Sequence, residues 1–389
     1  MLCVPGSART SRLRSGDRIG SMAVKKLLKG NVALCHGAIA ARCDAFFGYP
    51  ITPQNEVPEY MSSLMPDNGR VFLQAESEVA AINMVYGVAS AGKRAMTSSS
   101  SPGISLKQEG LSYIAACELP CVVVNVQRGG PGLGNTLPGQ ADYFQTVKGG
   151  GHGDYRLITL APWSVQECYD FLPLAFDLAD KYRNPAAILM DAIVGQMIEP
   201  IDVRNDFEIV EYPKAWATNG ARGRPHNIIN SLYIDPEIME GINNTLQAKY
   251  EQMRASEVRF AEYRTDDAEI VLVAYGSPAR ICRTVVDMAR EDGLAVGLLR
   301  PISLFPFPSV RIKELAESGR RFMVVEMSAG QMVEDVQLAV SGASEVRFYG
   351  RTGGYVPNPT DVLNQVRQWH GLPPLVTHYS TSATVAKEA

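Results

Sequence analysis

One unit recurs from Asn31 to about Pro200: a short apolar strand, a loop of Gly, Pro, Ser or Thr, and a stretch patterned as a helix. Such alternation is typical of a parallel sheet with helices packed on its faces. The predicted strands are Ala45–Tyr49, Val71–Gln74, Arg94–Thr97, Cys121–Val126 and Ala187–Met190. The sequence therefore predicts an α/β protein.

A smaller α/β unit follows, with predicted strands at Glu269–Tyr275, Ala295–Leu299 and Phe322–Val325. The intervening segment is polar at first and then reads as a long helix over residues 243–263. A chain of 389 residues exceeds the size of one ordinary hydrophobic core. We therefore predict a first domain over residues 22–205, a linker with a helix over 206–265, and a second domain over 266–389.

Residues 1–21 carry four arginines among Ser and Gly and lack the apolar core of a secretory signal. We predict a disordered extension outside the fold. The extension could be a transit-like leader, a tag remnant, or an over-extended start at Met1 before the true start at Met22. We favour a tag remnant or an over-extended start.

Composition limits the classes of function. Hydrophobic residues make up 46% of the chain, charged residues 20%, and the net charge is -4, which predicts a soluble cytoplasmic protein that binds neither nucleic acid nor membrane. The seven cysteines are scattered without a C-x-x-C pair, as expected of buried thiols. An iron–sulfur cluster needs about four grouped thiolates, so any cluster must lie on another chain.

Ligands of open parallel sheets bind outside the carboxyl ends of the strands. Four loops of the first domain lie there: YPITPQNE (49–56), QAESEVAA (74–81), TSSSSPGIS (97–105) and NVQRGGPGLGN (125–135). A nucleotide-binding dehydrogenase is excluded, because neither GVASAGK nor GGPGLGN completes a phosphate-binding motif.

Each loop has a structural and a functional interpretation. Thr52 either caps a helix or faces the crevice, and Glu78 either complements a helix dipole or serves a ligand. Ser100 and Ser101 lie at the start of a predicted helix, where their hydroxyls either cap that helix or hydrogen-bond a ligand. Arg128 either binds a carboxylate of a ligand or forms an internal ion pair.

Several of these segments resemble the alpha-type subunits of the 2-oxoacid:ferredoxin oxidoreductases, most of all the branched-chain form that acts on 3-methyl-2-oxobutanoate. The resemblance runs from about Lys29 to about Pro374. Its longest motifs are GYPITPQNEVPEY, LQAESEVAAINMVYG, SSSSPGISLKQEG, NVQRGGPGLGN, GGGHGDYRL and DLADKYRNPAAILMD.

The resemblance implies a thiamine-diphosphate pyrimidine-binding domain followed by a domain like the C-terminal domain of transketolase. It implies that Glu78 hydrogen-bonds N1′ of the aminopyrimidine, that Thr52 contacts the 2-oxoacid or the thiazolium side, and that Arg128 meets the substrate carboxylate. The further cofactor contacts predicted on this basis are Pro50, Ile51, Ser100 and Ser101. No metal ligand is predicted on this chain.

Thiamine enzymes hold Mg²⁺ and diphosphate with a G-D-G motif, and this sequence contains none. The resemblance therefore implies a beta subunit that carries the diphosphate and Mg²⁺, with thiamine diphosphate shared between the two chains. It also implies a small iron–sulfur, ferredoxin-like subunit, a gamma-type subunit, ferredoxin as electron acceptor, and coenzyme A as co-substrate. The alternatives are the 2-oxoglutarate form of the enzyme and a non-catalytic α/β binding module.

Overall fold

The structure is a computed structural model that describes residues 24–204 and 206–375. The predicted extension over residues 1–21 lies outside the described residues. The strands in chain order are β1 (Val24–Lys29), β2 (Ala45–Gly48), β3 (Val71–Gln74), β4 (Ala95–Ser99), β5 (Cys121–Gln127), β6 (Ile158–Leu160), β7 (Pro185–Asp191), β8 (Ile198–Val203), β9 (Phe260–Tyr263), β10 (Ile270–Val273), β11 (Val296–Pro301), β12 (Ser303–Phe305), β13 (Arg321–Glu326) and β14 (Val346–Gly350).

The helices include two long ones, α5 and α7, and the rest are shorter. In chain order they are α1 (Gly30–Ala40), α2 (Glu56–Asp67), α3 (Glu78–Ser90), α4 (Ser101–Ala116), α5 (Val165–Tyr182), α6 (Ala192–Gln196), α7 (Pro236–Ser256), α8 (Gly276–Glu291), α9 (Ser309–Glu317), α10 (Met332–Val340) and α11 (Pro359–Trp369).

The larger sheet has the order β12–β6–β7–β5–β4–β2–β3 and is parallel except for β12, which runs antiparallel to β6. Its central strands β5 and β7 are buried throughout, as the apolar runs in their sequences require of strands covered on both faces. Helices α1, α2 and α5 pack on one face and α3 and α4 on the other. The predicted parallel sheet flanked by helices is confirmed.

The smaller sheet has the order β14–β13–β10–β11–β9 and is parallel except for β9, which runs antiparallel to β11. A separate two-stranded antiparallel sheet joins β1 to β8. The helix predicted over residues 243–263 is wrong at both ends, because α7 spans Pro236–Ser256 and Phe260–Tyr263 forms β9.

Two strands cross the predicted domain boundaries. β9 belongs to the segment predicted as a linker, yet it pairs with β11 of the smaller sheet. β12 belongs to the predicted second domain, yet it pairs with β6 of the larger sheet. The smaller sheet thus takes an edge strand from the predicted linker, and the larger sheet takes one from the predicted second domain. The boundaries at residues 205 and 265 stay a prediction.

Candidate functional site

A crevice opens in the larger sheet between β2 and β4. The chain passes from β2 to its neighbour β3 on one side and from β4 to its neighbour β5 on the other, so the strand order reverses between β2 and β4. Their pairing is confined to Ala45↔Ala95 and Phe46↔Met96, before either strand reaches its carboxyl end. A reversal of this kind is where open α/β sheets bind ligands.

The loop after β2 is held in place from two sides. Ser98, at the end of β4, donates a hydrogen bond to Oε1 of the fully buried Gln54 at 2.6 Å. The carbonyl of Pro53 accepts hydrogen bonds from Asn31 and Gln196, each at 2.9 Å. The backbone of Tyr49 to Pro53 is therefore fixed against the sheet.

Glu56, at the end of the same loop, is held by three hydrogen bonds. Its carboxylate accepts from Lys29 at 2.8 Å, from Asn31 at 2.9 Å and from Gln196 at 3.0 Å. Burial alone raises the pKa of Glu56, but these hydrogen bonds outweigh it and hold the pKa below its ordinary value. Glu56 is therefore engaged within the fold and is not free to contact a ligand.

Thr52 is exposed and does not cap a helix, because α2 begins at Glu56 and its N-cap residue is Asn55. The capping alternative is excluded. The Thr52 hydroxyl accepts a hydrogen bond from Asn55 Nδ2 at 3.2 Å, and its carbonyl accepts one from Arg128 Nη1 at 2.9 Å. The structure thus brings together two predicted site residues that lie 76 positions apart.

Arg128 follows β5 directly and makes no salt bridge with any residue in the described part of the chain. Its Nη1 donates to the Thr52 carbonyl and its Nη2 to the Leu133 carbonyl at 2.8 Å, while its buried Nε has no partner among the described residues. The internal ion pair is therefore excluded. The guanidinium is fixed by two neutral carbonyls and can still donate to an anion.

Glu78 is the first residue of α3 and is only 6% exposed. Ser77 caps the helix by accepting a hydrogen bond from Ala80 N at 3.2 Å, so the cap does not need the Glu78 side chain. Across residues 24–204 and 206–375 the Glu78 carboxyl has no hydrogen-bond partner. The carboxyl therefore lies at the rim of an otherwise enclosed side chain and is available to hydrogen-bond a ligand.

Gly103 lets α4 approach this carboxyl. A Cβ at position 103 would overlap both Glu78 Oε1 and Ser99 Oγ. The hydroxyls of Thr97, Ser99 and Ser100 nearby are buried and likewise have no partner within the described chain. Of these hydroxyls, that of Ser99 lies beside Glu78, so unpaired polar groups occur at the carboxyl end of β4.

The two serines predicted as cofactor contacts differ in their surroundings. Ser100 occupies the N-cap position of α4 without capping it, and its hydroxyl stays unpaired. The Ser101 hydroxyl donates to Asp142 at 2.5 Å and accepts from the Arg128 backbone N–H at 3.0 Å. Ser100 is therefore free for a ligand, whereas Ser101 is engaged in holding the β5 loop.

Sequence reasoning missed Asp142 and Lys107. Burial raises the pKa of Asp142, against the hydrogen bonds from Ser101 and Asn125 and the charge of Arg128. Lys107 is fully buried on α4, with its ammonium unpaired among the described residues. Neither residue lies directly after a strand, so the search for polar residues at strand ends could not have identified them as site residues.

These residues fit one end of thiamine diphosphate. The aminopyrimidine presents ring nitrogens and an amino group, and the crevice offers a partnerless carboxyl and unpaired hydroxyls to such groups.

Within the described residues no group of three or more His, Cys, Asp or Glu side chains could hold a metal ion. The six cysteines of the described chain are free and buried, as predicted, and Cys3 lies outside it. No described helix is both long and apolar enough to cross a membrane.

Comparison with known proteins agrees with this geometry. Residues 36–269 match the family described as "Pyruvate flavodoxin/ferredoxin oxidoreductase, thiamine diP-bdg". Residues 268–362 match "Pyruvate:ferredoxin oxidoreductase core domain II". The ketoisovalerate oxidoreductase subunit VorB of Methanothermobacter thermautotrophicus is 54% identical over 348 residues, which cover 89% of this chain and 98% of that relative.

Two solved structures share the fold. The 2-oxoglutarate:ferredoxin oxidoreductase from Magnetococcus marinus matches with a TM-score of 0.80 and 26% identity, over 88% of this chain and 65% of that chain. This chain thus spans less than two thirds of that neighbour's length. A split-gene transketolase, in an inactive beta4 tetramer, matches over 88% of this chain and 97% of its own with a TM-score of 0.56 and 13% identity, which shows the fold alone.

The larger α/β unit is a thiamine-diphosphate-binding domain, and the fold as a whole is similar to that of a transketolase. The chain belongs to the family of 2-oxoacid:ferredoxin oxidoreductases, as a subunit of such an enzyme. The predicted fold class, family and enzyme class are confirmed.

Proposed function

We propose that this chain supplies the aminopyrimidine half of a thiamine diphosphate site in a heteromeric enzyme. The enzyme converts 3-methyl-2-oxobutanoate and coenzyme A to isobutyryl-CoA and CO₂ and passes the electrons to ferredoxin. The observation that carries the proposal is the largely enclosed Glu78 side chain, which lies beside Ser99 at the end of β4 and has no hydrogen-bond partner among the described residues. When bound, thiamine diphosphate would supply the carbon nucleophile and the electron sink for decarboxylation.

Glu78 would hold a proton shared with N1′ of the aminopyrimidine. Glu78 is the first residue of α3, and its carboxyl lies beside Gly103 and Ser99 at the carboxyl end of β4. A carboxyl group that meets one ring nitrogen can both donate and accept that proton as the reaction proceeds. The catalytic role of Glu78 follows from this exchange.

Thr52 and Arg128 would form the substrate side of the site. The guanidinium of Arg128 is fixed by the carbonyls of Thr52 and Leu133, so it is already oriented for the carboxylate of a 2-oxoacid. Pro50 and Ile51 lie on the same fixed loop and would contact the cofactor ring. Ser100 would contribute its free hydroxyl, and Ser101 would act by holding the loop that carries Arg128.

The remaining half of the site would come from a beta subunit that carries the diphosphate and Mg²⁺. The described chain offers no ligand cluster for Mg²⁺, which prefers oxygen ligands such as carboxylates. Apolar side chains beside the crevice are exposed, with Leu73 42%, Val79 43% and Leu133 79% accessible, and a partner would bury them. A small iron–sulfur subunit and a gamma-type subunit would complete the route to ferredoxin.

The branched-chain substrate is supported by the relative at 54% identity, which is named for ketoisovalerate. The solved neighbour that is named for 2-oxoglutarate shares 26% identity with this chain. A substrate such as 2-oxoglutarate has a second carboxylate and calls for a second cation beside it. We therefore expect 3-methyl-2-oxobutanoate to be preferred.

The test is to purify the native complex and to measure coenzyme-A-dependent viologen reduction with a panel of 2-oxoacids. We expect the branched-chain acids to give at least tenfold higher kcat/KM than 2-oxoglutarate, a difference of about 1.4 kcal/mol in transition-state binding. A preference for 2-oxoglutarate would overturn the substrate assignment. A complex that reduces viologen equally well after complete removal of thiamine diphosphate would overturn the proposed function.

Glu78→Gln in the assembled complex tests the central residue. Because the amide cannot exchange a proton, we expect kcat to fall on the order of 10²- to 10⁴-fold. The matched control is Glu76→Gln in the same loop, where the side chain is exposed and outside the helix. Equal activity of the two variants would remove Glu78 from the mechanism.

A further inference from the structure

Asp142 lies where the end of β5 meets the start of α4, and it contacts both elements. Its Oδ2 accepts a hydrogen bond from Asn125 of β5 at 2.9 Å and another from Ser101, the first residue of α4, at 2.5 Å. Its backbone N–H donates to Oε1 of Gln127, the last residue of β5, at 3.1 Å. These contacts fix Asp142 against the junction of the two elements.

The segment that carries Asp142 is also held by the second α/β unit. Gln331, directly before α10, donates to the Ala141 carbonyl at 2.8 Å. The Oε1 of the same side chain accepts from the Phe144 N–H at 2.8 Å. Because these two bonds bracket Asp142, its position is set from both sheets.

Ser101 connects Asp142 to Arg128. The Ser101 hydroxyl accepts a hydrogen bond from the Arg128 backbone N–H at 3.0 Å. A hydroxyl has a single proton to donate, and a carboxylate oxygen only accepts. Because the proton of Ser101 points at Asp142, a lone pair of the same oxygen is left to face the Arg128 N–H. Without Asp142 the proton can turn to the Arg128 carbonyl, 3.4 Å away, so Asp142 sets the direction of the hydroxyl.

The direction of the Arg128 guanidinium depends on its backbone. In the described part of the chain no carboxylate pairs with it, and its donors meet only the carbonyls of Thr52 and Leu133. A shift of the backbone at residue 128 therefore moves the guanidinium relative to both carbonyls. A displacement of about 1 Å in a group that positions a substrate can cost about 10²-fold in rate.

We propose that Asp142 is a positioning residue that, through Ser101, holds Arg128 in place for the carboxylate of a 2-oxoacid. The inference rests on the proposed function and deepens it, because it names the residue that orients the cation of the substrate side. Asp142 itself touches neither substrate nor cofactor. Its loss affects the binding of the 2-oxoacid and leaves the aminopyrimidine contacts in place.

The experiment measures kcat and KM for 3-methyl-2-oxobutanoate in the assembled complex, saturated with thiamine diphosphate, Mg²⁺ and coenzyme A. In Asp142→Ala, which removes the acceptor, we expect KM to rise about tenfold or more and kcat to change by less than about threefold. Cofactor affinity should match the wild type. A merely structural role would lower the amount of active complex, and with it the apparent kcat, without raising KM.

Asp142→Asn is the conservative variant, because its amide keeps an acceptor oxygen at the same reach. We expect it to restore KM to within about threefold of the wild type. A wild-type KM in Asp142→Ala, or an equal rise of KM in the Ala and Asn variants, would overturn the proposal.

Ser101→Ala tests the same connection from its other end and serves as a second variant if Asp142→Ala does not assemble. It removes the hydroxyl between Asp142 and Arg128, so we expect the same rise in KM. The double variant should be no worse than either single variant, since both changes break one chain of hydrogen bonds. Additive effects would show that the two residues act independently, against the proposal.

The matched control is Asp170→Ala. Asp170 on α5 is half-buried like Asp142 and also accepts side-chain hydrogen bonds, from Gln166 at 3.2 Å and Arg204 at 3.3 Å. Neither partner belongs to the loops after β2, β4 and β5, so KM should stay within about twofold of the wild type. A rise in KM as large as that of Asp142→Ala would be a general effect of losing a bonded aspartate and would contradict the proposed role.

Arg128→Leu separates the two levels of inference. If Arg128→Leu raises KM about tenfold or more while Asp142→Ala and Ser101→Ala keep the wild-type KM, only the role of Asp142 is wrong. If Arg128→Leu also keeps the wild-type KM, Arg128 does not bind the substrate, and the substrate side of the proposed function fails.

Discussion

Lys107 and Lys249 are both buried lysines, and their surroundings differ. Lys249 donates to Glu118 at 3.2 Å and to the Arg183 carbonyl at 3.1 Å, so its charge is compensated. Lys107 makes no such bond within the described chain. Retaining an uncompensated buried charge costs stability, and that cost is tolerated where the charge serves a function.

Lys107→Met should therefore stabilise the isolated chain, most strongly at low pH. The folded pKa of Lys107 is about 8, below its ordinary value of 10.5. Below pH 8 both folded and unfolded states hold the proton, and the folded wild type carries the full cost of about 3 kcal/mol. Between pH 8 and pH 10.5 Lys107 is deprotonated in the folded state but still protonated in the unfolded state, so the free energy of unfolding of the wild type rises toward that of the variant. Above pH 10.5 the two free energies of unfolding become equal.

Urea unfolding of both chains at several pH values measures this difference. Lys25→Met, at an exposed lysine, is the control and should leave the free energy of unfolding within about 0.5 kcal/mol of the wild type. A stability gain in Lys107→Met that stayed constant from about pH 7 to about pH 11.5, each about one unit outside the range between the folded and unfolded pKa values, would contradict a charge effect.

The sequence singled out Glu78, Thr52 and Arg128 because they lie in loops that follow strands. The structure places Arg128 against Thr52 and Glu78 beside Ser99, and their roles in binding stay predictions. Lys107 and Gln54 could not be found in the same way. A lysine in a helical segment is normally a solvent-exposed residue, so SLKQEG carries no sign of burial. Gln54 acts through a hydrogen bond to Ser98, 44 positions later, and a contact of that range depends on the packed sheet.

At the scale of elements, α4 and α3 depend on Gly103 for their close approach. Gly103→Ala adds a methyl group that overlaps Glu78 and Ser99, so the start of α4 must move away from the crevice. We expect the affinity of the complex for thiamine diphosphate to fall at least tenfold, or about 1.4 kcal/mol. Titration of the cofactor-depleted complex measures the loss.

Gly87→Ala on α3 is the matched control. A Cβ at Gly87 meets no atom within 4 Å, so the substitution introduces no clash and improves helix propensity by up to about 1 kcal/mol. Cofactor affinity should stay unchanged in this variant. Wild-type affinity in Gly103→Ala would show that the contact between α4 and Glu78 is not needed for binding.

The central strands of the sheets could be predicted from the sequence, because buried parallel strands are continuous apolar runs, as in β5 and β7. The short edge strands could not be predicted from the sequence. β6 has three residues, and β12 is ordered by pairing with it across more than 140 positions of sequence. β9 has only four residues, Phe-Ala-Glu-Tyr, follows a long helix closely in sequence, and is a strand through its pairing with β11.

At the scale of the whole molecule, the two sheets are joined by buried hydrogen bonds at their facing ends. Asp191, at the end of β7, accepts from the backbone N–H of Ser277 at 2.8 Å. Gln140 donates to the Tyr275 carbonyl at 3.0 Å, and its Oε1 accepts from the Met327 N–H at 3.0 Å. The loop after β5, which begins with Arg128, is thus tied to the second sheet.

Gln140→Leu tests this coupling. Leucine is similar in size to glutamine, so the main loss is two buried hydrogen bonds, which leaves the Tyr275 carbonyl and the Met327 N–H without partners. Each unpaired group costs about 1–3 kcal/mol, so we expect the chain to lose roughly 2–6 kcal/mol and the two sheets to unfold in separate transitions. Gln337→Leu, on the exposed side of α10, should change the free energy of unfolding by less than about 0.5 kcal/mol. Calorimetric unfolding of both variants measures these changes. A single, unchanged transition in Gln140→Leu would show that apolar contacts alone make the two sheets unfold together.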